Sequence, residues 1–297
     1  MPKKIGVDLG GTFIKAGVVH RGVVLRRHHL PTQLDFDRFC DDIVRLIQEV
    51  SQGGPMKGVG IGVPGVTDPD HRVVLDSPNL RFLEEQPLVD RLEQTLGVPI
   101  HLENDANAAT FGEAKFGAGR QFPSFLLATI GTGIGGGVFL NGQLWRGPGG
   151  MAGEFGHLFA GHDRRCGCGA TGCLEAAVSA TSLVRWAKDE GIVTENLKGL
   201  ADQARRGDRT ARVLFEKAGL HLGTALAQVV LLLDLRVFLF GGGGSPILDL
   251  IRPTALQALA LRANGRQASE FQLSPAELGN DAGILGAAEL ASQRLPV

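Results

Sequence analysis

Lys4-Ile5-Gly6-Val7-Asp8-Leu9-Gly10-Gly11-Thr12-Phe13 is the stretch from which the fold is read. An apolar run ends in one acid and breaks at two glycines, and Phe13 to Val19 then returns as a second strand. A Gly-Thr turn presents backbone N–H groups with no side chain in the way, plus one hydroxyl, which suits polyphosphate oxygens. The same pattern restarts about 120 residues later, where Phe125 to Ile130, Gly131-Thr132-Gly133 and Ile134 to Leu140 suggest an internal duplication. A third loop, Gly241-Gly242-Gly243-Gly244, follows the strand Arg236 to Phe240. None is a Walker loop, because the chain contains no Gly-Lys dipeptide. Gly131 to Gly136 superficially matches a dinucleotide fingerprint, but a strand follows it where that site needs a helix N-terminus. Singly each loop is as much a turn as a ligand site; together, with Asp8 just ahead of the first, they indicate a nucleotide held between two domains.

Outward from these loops the chain alternates strands and helices, an α/β pattern. Val23 to His28 is a third strand, and Phe36, Phe39, Cys40, Ile43, Ile47 and Val50 recur at helical spacing, with Cys40 a small core side chain. Lys57 to Val63 reads as a buried strand ending at Pro64-Gly65. Val98 to Leu102 feeds a helix from about Asn104 to Phe116, and Gly117-Ala118-Gly119 reads as a hinge. Asn141-Gly142 signals a hairpin, and long helices are expected at Thr181 to Glu190 and Asp208 to Leu232. The helix Ala282 to Gln293 packs back on the first domain in this reading. The expected division is 1–116 plus 282–297 against 117–281. His101 and His162 read as surface or loop residues.

Composition excludes several classes. The chain is 43% hydrophobic and 21% charged with formal net charge −1, so no basic excess points to nucleic acid. The best apolar run, Ala225 to Phe240, is broken by Gln228, Asp234 and Arg236, so no membrane span is expected. A strand beginning by residue 4 leaves no room for a signal peptide, and a cytoplasmic location is expected.

Three of the four cysteines fall in Cys166-Gly167-Cys168-Gly169-Ala170-Thr171-Gly172-Cys173, nine residues after His157. One His and three Cys make a closed tetrahedral shell for Zn²⁺, a structural site with no position left for water. A disulfide plus a spare thiol is the alternative that spacing leaves open, against which stand the few cysteines and the expectation of no secretory leader. Glu154 and Glu175 bracket the shell, so zinc would rigidify a loop whose acids point elsewhere.

Asp8-Leu9-Gly10-Gly11-Thr12, Glu103-Asn104-Asp105-Ala106-Asn107-Ala108-Ala109, Gly153-Glu154-Phe155-Gly156-His157 and Cys166-x-Cys168-Gly169-x-x-Gly172-Cys173-x-Glu175 resemble, in order, the signature set of the ROK family (repressors, open reading frames and sugar kinases). The resemblance covers nearly the whole chain. It implies the actin-like, hexokinase-like ATPase fold, two ribonuclease-H-like α/β domains with ATP and a sugar in the cleft, and it favours zinc for the cysteine cluster. It also implies a homo-oligomer, a dimer.

Locally, Asp105 reads equally well as a helix N-cap or as a functional anion at a helix N-terminus. The resemblance makes it the base that accepts the sugar hydroxyl's proton. Asp8 would hold the hydration shell of Mg²⁺, Gly10, Gly11, Thr12, Thr132 and Gly133 would contact phosphate, and Gly242 and Gly243 would border the adenosine. Asn79, Asn104, Glu154, His157 and Glu175 match the family's sugar positions, His157 using one ring nitrogen for zinc and the other near the sugar. The expected activity is ATP-dependent phosphorylation of the 6-hydroxyl of a hexose. Ser77-Pro78-Asn79-Leu80 and Glu154-Phe155-Gly156-His157 resemble the glucose-kinase forms of the motifs. Kinases for N-acetylglucosamine, N-acetylmannosamine or fructose are the alternatives. A sugar-responsive repressor is a rival of another class, against which stands the missing helix-turn-helix segment ahead of residue 4.

Overall fold

The computed structural model describes residues 3–294. Strands β1 (Lys3–Leu9), β2 (Phe13–His20) and β3 (Val23–Pro31) form an antiparallel meander. Helix α1 (Phe36–Ser51) crosses to β4 (Met56–Val63), which lies parallel to β1. A small ribbon, β5 (Val66–Thr67) and β6 (Val74–Asp76), and helix α2 (Leu88–Leu96) precede β7 (Ile100–Asn104), parallel to β4, and then α3 (Asp105–Phe116). The sheet order is β3-β2-β1-β4-β7.

The next stretch repeats that order. β8 (Phe125–Ile130), β9 (Ile134–Leu140), β10 (Gln143–Trp145), β11 (Val237–Gly241) and β12 (Gln272–Pro275) form a sheet ordered β10-β9-β8-β11-β12, with β11 parallel to both β8 and β12. Position for position this is the first sheet again, so the duplication expected from the two glycine loops holds at the level of topology. Between β10 and β11 lie α4 (Glu175–Val178), α5 (Ala180–Asp189), α6 (Leu197–Arg205) and α7 (Arg209–Leu233); α8 (Leu248–Arg262) precedes β12, and α9 (Ala282–Arg294) closes the described chain. Among the described residues, no helix is long and apolar enough to cross a membrane.

Two compact units result among the described residues: 3–123 with 138–152 and 280–294, and 124–137 with 153–279. The division passes through β9, so 138–152 groups with the first unit, where the sequence reading had put all of 117–281 in the second. Residues 1–2 and 295–297 of the expected first domain lie outside the described residues.

Side chains alternate across a strand, which assigns the faces of the first sheet. Ile5, Val7 and Leu9 join Phe39, Cys40, Ile43, Ile47 and Val50 of α1 in one fully buried cluster. Gly6 and Gly60 face the other way, where a Cβ would overlap the backbone oxygens of Ile284 and Ala287. Helix α9 therefore lies directly on the backbone of β1 and β4, as its expected packing on the first domain required.

Candidate active site and metal centre

In the first unit the three parallel strands end together. Their register aligns Asp8 of β1 with Gly62 of β4 and Gly62 with Glu103 of β7, so the residues that follow collect at one sheet edge, the usual ligand edge of such sheets. The 10–12 loop is closed by Gly10 N–H donating to Phe13 O (3.0 Å) and by Thr32, whose N–H donates to Thr12 O (3.0 Å) and whose hydroxyl donates to Gly10 O (2.6 Å). Gly11 and Thr12 are left exposed. Thr32 and Lys15 carried no sequence signal. The antiparallel register sets Lys15 opposite Asp8, with Nζ 3.2 Å from Oδ2. Asp8 thus offers a hard oxygen donor beside the loop, which fits Mg²⁺, with Lys15 as its present partner.

The loop carrying Asn79 is fastened by Ser77, fully buried, whose hydroxyl donates to Pro64 O (2.5 Å). A Cβ at Gly11 would stand 3.7 Å from Asn79 Cβ, so the exposed Asn79 is at the 10–12 loop.

Asn104, not Asp105, caps α3: its side chain accepts from Asn107 N–H at 2.9 Å, with extended backbone at ψ 141°. Its amide also donates to Gly65 O (2.9 Å). Asp105 occupies the first helical position, where its Oδ1 accepts from Ala106 N–H at 2.8 Å. The capping alternative for Asp105 is therefore taken by its neighbour.

Glu103, one residue earlier, is 1% exposed. Burial pushes its carboxyl up, but the His101 imidazole, the Arg146 guanidinium and His71 outweigh this and hold it down from 4.5 to about 2. His101, expected at the surface, is 6% exposed in this same cluster. A carboxyl depressed in the folded state stabilises the fold fully above its unfolded pKa and loses that contribution as pH falls towards the folded value. The unfolding free energy of wild type should exceed that of Glu103→Gln by on the order of 3 kcal/mol at neutral pH, a gap constant down to about pH 5 and narrowing towards pH 2. Urea titrations at several pH values check this; a gap that widens on acidification contradicts it.

In the second unit, His157, Cys166, Cys168 and Cys173 bring four donor atoms within 4.8 Å of one another. Cys168 Sγ and Cys173 Sγ are 3.7 Å apart, matching the edge of about 3.8 Å of a tetrahedron with 2.3 Å metal–sulfur bonds and far from the 2.05 Å of a disulfide. His157 turns Nδ1 to Cys166 Sγ (3.9 Å) and Nε2 to Glu154 Oε2 (3.8 Å). The donor set fits Zn²⁺. Burial pushes the Cys166 thiol up to about 12 and raises Cys173 as well, whereas the Ala170 backbone N–H lowers the exposed Cys168. His162 is half-buried and belongs to this loop: Nε2–H donates to Cys173 O (3.0 Å) while Nδ1 accepts from Arg164 N–H (3.1 Å). It is a brace where the sequence suggested an uninvolved loop residue.

Glu175 opens α4 with Oε2 accepting from Ile134 N–H (2.9 Å) and Oε1 3.6 Å from Cys166 Sγ. A Cβ at Gly133 would overlap that Oε2, so the 131–133 loop and Glu175 are built against each other. Thr132 is exposed at its tip. Gly242 (φ +79°) lies where a Cβ would meet Ile130 O, and Gly244 N–H donates to the same oxygen (2.8 Å), placing exposed Gly242 and Gly243 beside the end of β8.

A family model described as ROK family matches residues 4–294. A glucokinase of Streptomyces coelicolor is 36% identical over 99% of this chain and 98% of its own. An N-acetyl-D-glucosamine kinase of Pasteurella multocida is 30% identical over 97% and 98%. Among solved structures, a ROK family glucokinase from Streptomyces griseus in complex with glucose and AMPPNP superposes with a TM-score of 0.84 at 36% identity, covering 98% of this chain and 99% of that one.

Proposed function

The chain belongs to the ROK family, with its actin-like, hexokinase-like ATPase fold, and we propose that it is an ATP-dependent hexose kinase that phosphorylates the 6-hydroxyl of glucose. The observation that carries this is full-length similarity, at 36% identity, to glucokinases, one of them solved with glucose and a nucleotide bound.

In this reading Asp105 accepts the proton of the 6-hydroxyl as its oxygen attacks the γ-phosphorus, and ADP leaves. Asn104, fixed by its own capping bond and by Gly65, holds the reacting end of the sugar, and Asn79 adds an amide. Glu154, His157 and Glu175 read sugar hydroxyls. Backbone amides at Gly10, Gly11, Thr12, Thr132 and Gly133 take phosphate oxygens, and Gly242 and Gly243 border the adenosine. Asp8 would hold the hydration shell of Mg²⁺ bound with the nucleotide, which would supply charge neutralisation. Zn²⁺ on His157, Cys166, Cys168 and Cys173 supplies a rigid anchor for the acids around it. A dimeric assembly, on family resemblance, and a cytoplasmic location, on the sequence reading, complete the proposal.

The second reading, an N-acetylhexosamine kinase, is favoured by the 30% match to the N-acetylglucosamine enzyme. A coupled ADP-release assay over a sugar panel decides. The expected order of kcat/KM is glucose first, mannose or glucosamine weaker, and N-acetylated sugars little. A site that hydrogen-bonds defined hydroxyls separates epimers more sharply than an apolar pocket. N-acetylglucosamine or N-acetylmannosamine at the head of that panel overturns the substrate assignment.

A further inference from the structure

Glu103 immediately precedes Asn104-Asp105, and both of its carboxylate oxygens are committed. Oε1 accepts from Asn104 N–H (3.1 Å) and from the Asn107 amide (3.2 Å). Oε2 accepts from Arg146 Nε (2.8 Å) and Nη2 (2.6 Å). His71 Nδ1 and His101 Nε2 flank the same oxygen at 4.0 and 3.8 Å, and His71 Nδ1–H donates to Leu102 O (2.9 Å). Two histidines and a carboxylate make a plausible cation shell, but the Arg146 guanidinium already occupies the cation's place on Oε2.

Compared with an apolar pair of the same volume a buried ion pair adds little net stability, although removing one partner strands the other charge and is destabilising. What the pair does provide is direction. The groups held by Oε1 lie on either side of Asp105: the N–H of Asn104 before it and the side chain of Asn107 two residues after it. Asn107 N–H is bound in turn to Asn104 Oδ1, so the backbone carrying Asp105 is pinned at both flanks. Arg146, which follows β10 and is 25% exposed, holds the carboxylate from the far side. We propose that Glu103 and Arg146 are positioning residues for the phosphoryl transfer: together they fix the first turn of α3 so that the Asp105 carboxylate is held where the hydroxyl proton is released. This rests on the assignment of Asp105 as base. A misplacement of about 1 Å at a reacting group costs on the order of a hundredfold in rate, which sets the scale expected here.

The test measures kcat, both KM values and zinc content for full-length Glu103→Gln, Arg146→Met and Arg146→Lys, using the best sugar of the panel, well below each variant's Tm. Each change is repeated in an Asp105→Asn background. Glu103→Gln and Arg146→Met should lower kcat by roughly ten- to a hundredfold with both KM values within about threefold, and Arg146→Lys should recover much of the loss. In the Asp105→Asn background the same changes should cost little more, since no carboxylate remains to be positioned. If Glu103→Gln does not fold, the two Arg146 variants and their Asp105→Asn doubles carry the comparison alone. Wild-type kcat in a folded variant overturns the proposal, and so does a loss of equal size with and without Asp105. Should Asp105→Asn itself keep wild-type turnover, the base assignment fails first.

Discussion

Asp105→Asn is expected to lower kcat by at least about a hundredfold while ATP binding stays near wild type. The substitution keeps the size of the side chain and the oxygen that accepts from Ala106 N–H, so the local backbone has no reason to move. It does not remove the helix cap, because Asn104 makes that bond. Loss of the anion from the helix N-terminus has an effect of about 0.3–1 kcal/mol on stability. A large fall in turnover with a nearly unchanged Tm therefore reports chemistry: a neutral amide cannot take the proton that the 6-hydroxyl must shed as the O–P bond forms. Unaltered kcat would leave Asp105 as a structural residue of the first turn. A parallel collapse of Tm and nucleotide affinity would say the same.

The loops were legible because glycine leaves a mark wherever backbone must turn tightly or approach another group closely. Gly10-Gly11-Thr12 and Gly131-Thr132-Gly133 announced a duplication, and the shared strand order of the two sheets agrees with it. Helix α8 left no such mark, since Pro253 at its sixth position reads as a stop. Packing overrides that local preference: Gly219 and Gly223 of α7 let the two helices approach until a Cβ at either would meet the backbone oxygens of Ile251 and Ala255. The four-residue β12 was too short for any periodicity to show.

In the candidate site, the family motifs point to Asp105, Asn104 and the His157, Cys166, Cys168 and Cys173 cluster, but not to what holds them. His101 lies outside the family motifs and so reads as a surface or loop residue, and the alternation of apolar and polar residues in Ile100-His101-Leu102-Glu103 offers nothing against that reading. The strand is buried on both faces, and His101 and Glu103 are inside because Arg146, 43 positions away in sequence from Glu103, supplies the compensating charge. Nothing local to either residue announces the other.

Purified wild type is expected to carry about one tightly held zinc per chain, and Cys168→Ser should abolish that binding and raise KM for the sugar about tenfold or more. Cys168 is exposed, so trimming its sulfur opens no core cavity, and any loss must come through the ion. The loop keeps backbone bonds of its own, among them Cys166 N–H to Ala170 O (2.8 Å) and Gly172 N–H to Arg164 O (2.9 Å). Those bonds favour a variant that still folds but holds its acids loosely. Glu154 lies against His157, and Glu175, held also by Ile134 N–H, lies against Cys166, so both carboxylates adjoin the proposed zinc donors. A structural zinc is worth about 10–16 kcal/mol of binding free energy, far more than those few bonds can replace. The sugar KM should therefore respond more strongly than the KM for ATP. Active, reductant-treated protein without zinc by elemental analysis would remove the metal from the account, and Cys168→Ser with an unchanged sugar KM would show that the acids are aligned by the polypeptide alone.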